Sequence, residues 1–178
     1  ENTGIYVASG SPTLKRVQVE RSGANEALYL ELEADPTLSD VTAVDNVADR
    51  ITINTAGKTL SADRTWNYGS LPLQMTSSMT VDAGATLTIE PGTVVKLPTG
   101  AFFDVDGGLA AVGTLNDPIV FTSVADDAVG GDTNGDSPEV AVASGSWEAF
   151  YIDSSDVHLD HVEIRYAGNL FSPGNNSG

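Results

Sequence analysis

Residues 78–123 read SMTVDAGATLTIEPGTVVKLPTGAFFDVDGGLAAVGTLNDPIVFTS, and this stretch decides the fold. Short apolar-alternating runs follow one another, each closed by a Gly, Pro or Asp-Gly turn. Successive side chains on a strand point to opposite faces, so every run has one inward row. The inward residues are Val81, Leu87 and Ile89, then Val95 and Leu97, then Val105, Leu109 and Ala111, then Ile119 and Phe121. These are three strands followed by the same three again. Val81-Asp82-x-Gly84 recurs 24 residues later as Val105-Asp106-x-Gly108, and Val95-x-Leu97 recurs at the same offset as Ile119-x-Phe121. A period of this length holding three strands is the pattern of a coil stacked on a coil. The predicted fold is all-β: a right-handed parallel β-helix with three walls.

The pattern extends in both directions. Toward the start, Ile5 to Val7 reads as a strand. Pro12-Thr13-Leu14 and Val17-Gln18-Val19 follow it, joined by a charged corner at Lys15-Arg16. The same order returns with Pro36-Thr37-Leu38, the corner Ser39-Asp40 and Val41-Thr42-Ala43, an offset of 24 at both Pro and Leu. Leu-x-x-Val-x-apolar appears once more as Leu159 to Ile164. A less regular coil begins at Arg50 to Ile53, with Thr59 to Trp66 and Leu71 to Met75 as its other walls. The expected layout is one β-helix segment over 1–178 with about six coils. Its first coils span 1–56, an irregular coil 57–77, regular coils 78–168 with a loop insertion at 124–146, and a tail 169–178. Phe103, Leu159, Val162 and Ile164 join the expected interior. Helix has no place, because β-branched residues dominate and turn residues interrupt each window.

Composition narrows the function. Eight Lys and Arg stand against 25 Asp and Glu, a formal charge of −17. Such a surface repels phosphate backbones and anionic lipid, which excludes nucleic-acid partners and membrane-surface binding. It attracts divalent cations and basic partners. A hydrophobic content of 40% argues against disorder. The chain has no Cys, which removes disulfides and thiolate metal sites. No run is long enough for membrane insertion.

The string from Val81 to Leu97, VDAGATLTIEPGTVVKL, resembles the repeat of bacterial secreted right-handed parallel β-helix proteins. So do Gly113-Thr114 with Asp117 to Ser123, Gly131 to Asp136, Gly145-Ser146-Trp147 and Leu159 to Gly168. The family is the pectate-lyase-like superfamily, and within it the large surface or adhesin-type proteins. The resemblance implies an extracellular or cell-surface setting. It leaves activity open, because this superfold carries lyases, hydrolases, adhesins and inert stalks.

One loop carries ligand chemistry. Asp132-x-Asn134-x-Asp136, with Gly135 before the last ligand, places oxygens at alternate positions in a tight turn, as the first half of an EF-hand loop does. The bidentate Glu of that motif is absent, since the twelfth position is Ala143. The shell of a bound Ca2+ is therefore completed by Asp126 or Asp127, by a backbone carbonyl near Ser137-Pro138, or by water. Catalytic groups are thin. Asp153, Asp156, Asp160, His161, Glu163 and Arg165 cluster in sequence, yet they read as corner and outward residues, and no catalytic residue is assigned. Trp66 with Tyr68 offers a sugar platform, against a core or loop-anchoring role. Asn175-Asn176-Ser177 is a formal glycosylation sequon.

Two function classes stay open. One is a non-enzymatic structural or adhesive solenoid segment stabilised by calcium. The other is a carbohydrate-binding or polysaccharide-degrading β-helix. Outward residues such as Thr13, Gln18, Thr37, Thr42, Thr80, Thr88, Lys96 and Asp104 are scattered rather than convergent, which favours the rod. The opening Glu1-Asn2-Thr3-Gly4 and closing Asn176-Ser177-Gly178 read as the limits of a processed piece. The expected partner is a further coil, supplied by end-to-end self-association into a filament or by continuation in a longer chain.

Overall fold

A computed structural model describes residues 3–23, 25–136 and 141–168. The described residues contain no helix, and about 46% are strand, all of it parallel. The longest sheet runs β1 (Ile5–Val7), β3 (Glu26–Glu31), β5 (Ala48–Asn54), β8 (Leu73–Met75), β11 (Val94–Leu97), β14 (Ile119–Ser123) and β17 (Val162–Ile164). A second wall stacks β6 (Thr59–Leu60), β9 (Met79–Val81), β12 (Phe103–Val105) and β15 (Phe150–Ile152). The third stacks β7 (Arg64–Trp66), β10 (Thr86–Ile89), β13 (Gly108–Val112) and β16 (Val157–Asp160). Near the start, β2 (Thr13–Glu20) pairs only with β4 (Thr37–Val44). The protein is a parallel β-helix, a solenoid.

It has about five turns in place of the expected six. The first two turns carry two strands each, because β2 and β4 each run as one eight-residue strand through the corner. Arg16 and Asp40 take left-handed φ of 53° and 54° there, and His161 takes 48° at the matching place before Val162. The shared Leu-x-x-Val motif thus encodes a shared bend. Leu71 to Met75 does not close the irregular coil; β8 pairs with β5 on the long sheet and opens the next turn.

The inward rows are where alternation puts them. Val81, Leu87, Val95, Leu97, Phe103, Val105, Ala111, Ile119 and Phe121 are fully buried. Rings meet along the axis: Phe103 lies 6.4 Å from Trp66, 6.1 Å from Phe121 and 5.2 Å from Phe150. Register confirms the 24-residue offset between Val81 and Val105 and between Leu14 and Leu38. It corrects the long sheet, where Val95 pairs with Phe121, an offset of 26. A slip of two keeps every side chain on its own face, so the apolar pattern cannot detect it.

Two interior expectations fail at the last turn. Leu159 is 38% exposed and Ile164 49%, and Val162 is half-buried. β15, β16 and β17 are each the terminal strand of their sheet, and no described turn lies on their inward rows.

Candidate metal centre

The outer face of the long sheet builds the site. One outward row reads Thr52, Gln74, Lys96 and Thr122 across neighbouring strands. Such residues normally meet water, yet Lys96 and Thr122 are completely buried. Residues 124–136 fold back from β14 and lie over this face. Gly130 marks the close approach: a Cβ there would stand 2.9 Å from Pro72 Cβ and 3.3 Å from Val94 Cγ1, and its φ is +72°. Only glycine meets both demands without strain.

Lys96 fastens this strap. Its Nζ donates to the backbone carbonyls of Asp126 at 2.9 Å and Gly131 at 2.5 Å. Burial pulls its pKa below the ordinary lysine value, opposed by the negative charges of Asp127, Asp126 and Asp132. Asp126, only 1% exposed, anchors the root of the strap. Its carboxylate accepts from Thr122 Oγ1 at 2.6 Å and from the Ala128 N–H at 3.2 Å, with Arg165 Nη1 4.0 Å away.

Above Lys96 the structure gathers Asp127, Asp132 and Asp136, with one carboxylate oxygen from each lying within 4.8 Å of the others. Two oxygens on one Ca2+ at ~2.4 Å can be at most about 4.8 Å apart, so the trio fits a calcium shell. The charges fit as well. Three carboxylates over one ammonium carry an excess of negative charge, which suits a cation. Asp132 Oδ1 accepts from the N–H groups of Asn134 at 3.1 Å and Gly135 at 2.6 Å, which closes the turn. Asn134 Nδ2 donates to Asp136 Oδ2 at 2.9 Å, while Asp136 Oδ1 is shielded from water and accepts no hydrogen bond.

Of the five expected ligands, Asp127, Asp132 and Asp136 converge, Asn134 braces Asp136, and Asp126 is spent on Thr122 and Ala128. The carbonyl expected near Ser137-Pro138 and the sequon at 175–177 lie outside the described residues. Sequence reasoning placed Lys96 in solvent. Its one available signal was Gly130-Gly131, whose freedom lets a backbone cross a sheet closely.

The other candidates separate. Asp153, Asp156, Asp160 and Glu163 are exposed on the last turn; His161 pairs with Asp160 at 2.9 Å and Arg165 with Glu163 at 2.6 Å. Trp66 and Tyr68 are 2% and 4% exposed, which rules out the sugar platform. Burial also pushes the Tyr68 hydroxyl well above its usual pKa, with Asp35 adding to the shift. A separate cleft of about 670 Å³ opens where β4 and β7 face each other unpaired, lined by Asp35, Thr37, Asp63, Arg64, Asn67 and Thr88 among others.

Comparison with known proteins finds no matching family model, no matching curated protein and no matching solved structure.

Proposed function

We propose that the chain is a non-enzymatic structural or adhesive segment, a stiff β-solenoid rod tightened by calcium. The observation that carries this reading is the strap. A chain segment crosses the outer face of the long sheet, is pinned by buried Lys96, and carries three carboxylates whose spacing and charge suit one Ca2+. Closing the strap over neighbouring strands would stiffen the stack along its axis. An extracellular or cell-surface setting, of the bacterial adhesin type, accords with this use, because calcium outside cells is abundant enough to fill sites of modest affinity. No described helix is long and apolar enough to cross a membrane.

Calcium at a hundredfold excess over Kd would add about 2.7 kcal/mol, or roughly 5–10 °C in melting temperature for a chain of this size. Replacing both Asp132 and Asp136 by Ala removes that gain. Melting curves that coincide with calcium and with chelator refute the site.

A second reading, carbohydrate binding, has its own observation. The cleft between β4 and β7 is lined with hydroxyls, carboxylates, an amide and a guanidinium, the polar groups that sugar hydroxyls pair with. Binding of neutral and acidic polysaccharides to immobilised protein tests it, and loss of binding in Asp63→Ala would place the ligand there.

A further inference from the structure

We infer that Asn134 is a site of self-modification: the Gly135 backbone nitrogen attacks its side-chain amide and converts it to a carboxylate, and the strap holds the groups that speed this reaction.

Asn134 is the only Asn in the sequence that is followed by Gly. The pair matters because ring closure between a side-chain amide and the next backbone nitrogen is obstructed by a side chain on the second residue. Gly135 has no Cβ, and the space a Cβ would fill has nothing within 4 Å. Its φ of +74° is one that glycine adopts freely. Both residues are exposed, so water reaches them.

Three contacts supply what the chemistry needs. The Gly135 N–H must lose its proton for the nitrogen to attack, and it donates to Asp132 Oδ1 at 2.6 Å, within reach of a general base. Asn134 Oδ1 gains negative charge as Cγ becomes tetrahedral, and it accepts from the Asp136 N–H at 3.3 Å, in the manner of an oxyanion hole. Asn134 Nδ2 is the leaving nitrogen, and it donates to Asp136 Oδ2 at 2.9 Å. Both ends of the amide are thus held, which fixes its orientation toward the attacking group.

The steps balance. The Gly135 nitrogen bonds to Asn134 Cγ as its proton passes to Asp132. That proton is returned to Nδ2, the Cγ–Nδ2 bond breaks, and ammonia leaves behind a five-membered imide. Water then opens the imide at one of its two C–N bonds. One opening leaves a carboxylate on the side chain at position 134. The other leaves it on the main chain and routes the backbone through the side chain. Either product adds a negative charge beside Asp132 and Asp136, and neither reverts to the amide. The strap therefore records the age of the chain. The inference rests on the Asn134-Gly135 pair and not on calcium. The calcium reading adds one consequence, since an ion that engages Asp132 and Asp136 withdraws the base and slows the reaction.

Peptide mapping by mass spectrometry of the full chain, incubated at neutral pH with chelator, tests it. Conversion at Asn134 should run faster in the folded chain than in the same chain held unfolded in urea. Asp132→Asn should slow the folded rate about tenfold or more. Asp132→Glu keeps a carboxylate and should restore part of the rate. Asp132 is exposed, so both variants should fold, and their melting curves in chelator check this. A folded rate equal to or below the unfolded one overturns the proposal. So does an Asp132→Asn variant that is folded and converts as fast as the parent. Repeating the incubation in calcium separates the two readings: slower conversion supports both, whereas a rate that calcium leaves unchanged counts against the calcium site alone.

Discussion

Phe103 has no exposed surface and touches three other rings along the axis. Truncating a buried Phe to Ala removes its transfer energy and leaves a cavity, together about 3–5 kcal/mol. Urea unfolding of Phe103→Ala should show that loss. Val162→Asp should behave differently, because Val162 is half-buried on a turn with nothing above it. Most of the β signal should survive it. Lys96 makes the opposite case. Lys96→Ala removes the donor to the carbonyls of Asp126 and Gly131; the Asp126 carbonyl is buried, and leaving it unpaired costs about 1–3 kcal/mol. Faster hydrogen exchange confined to residues 124–136 would mark release of the strap; a change spread over the whole chain would contradict the pinning role. Lys96 illustrates what alternation cannot convey. The pattern VVKL correctly turns it outward, but its burial comes from a segment some thirty residues downstream.

Among the elements, β3 is tied to the turn after β5 by charge. Lys58 Nζ donates to Glu31 at 2.6 Å and to Glu33 at 3.1 Å. Burial alone would raise the pKa of Glu31, but hydrogen bonds from Lys58, Tyr6 and Asn54 outweigh it and hold it below the usual value. The bond to Glu31 holds Lys58 above its own usual value. A depressed carboxylate contributes stability above its unfolded pKa and loses it as pH falls through the folded one. A raised lysine contributes fully below its unfolded pKa and loses it as pH rises through the folded one. The tie is therefore at full strength from about pH 4.3 to about pH 10.4 and fades beyond either limit. Lys58→Met should lower the urea midpoint within that window and flatten both limbs of the pH profile. If the variant and the parent trace parallel curves at every pH, the pair contributes nothing. The elements themselves were legible wherever a turn residue bounded an alternating run, as from Val81 to Phe121. The strap was legible only as composition. Its Asp, Asn and Gly residues announced a tight acidic loop, but nothing local says that a loop lies across a sheet.

For the whole molecule, one sheet of seven strands links the first described strand to the last, and at ~4.8 Å between strands it spans roughly 30 Å. Both functional readings depend on that continuous parallel order. The repeat made it legible, since the left-handed bends at Arg16, Asp40 and His161 arise from one motif. The offset was ambiguous, because counting by 24 and pairing by 26 on the long sheet, or by 22 between β10 and β13, bury the same residues. Cross-linking decides between them in a chain with no cysteine of its own. Val94 and Val120 are paired across β11 and β14, so their Cα atoms stand about one strand spacing apart, within disulfide reach. Val94 and Pro118, the pair an offset of 24 would align, lie diagonally at roughly 8 Å, beyond it. Mild oxidation should close a disulfide in the Val94→Cys/Val120→Cys variant and leave Val94→Cys/Pro118→Cys reduced. A bond in the second variant and none in the first would contradict the stack.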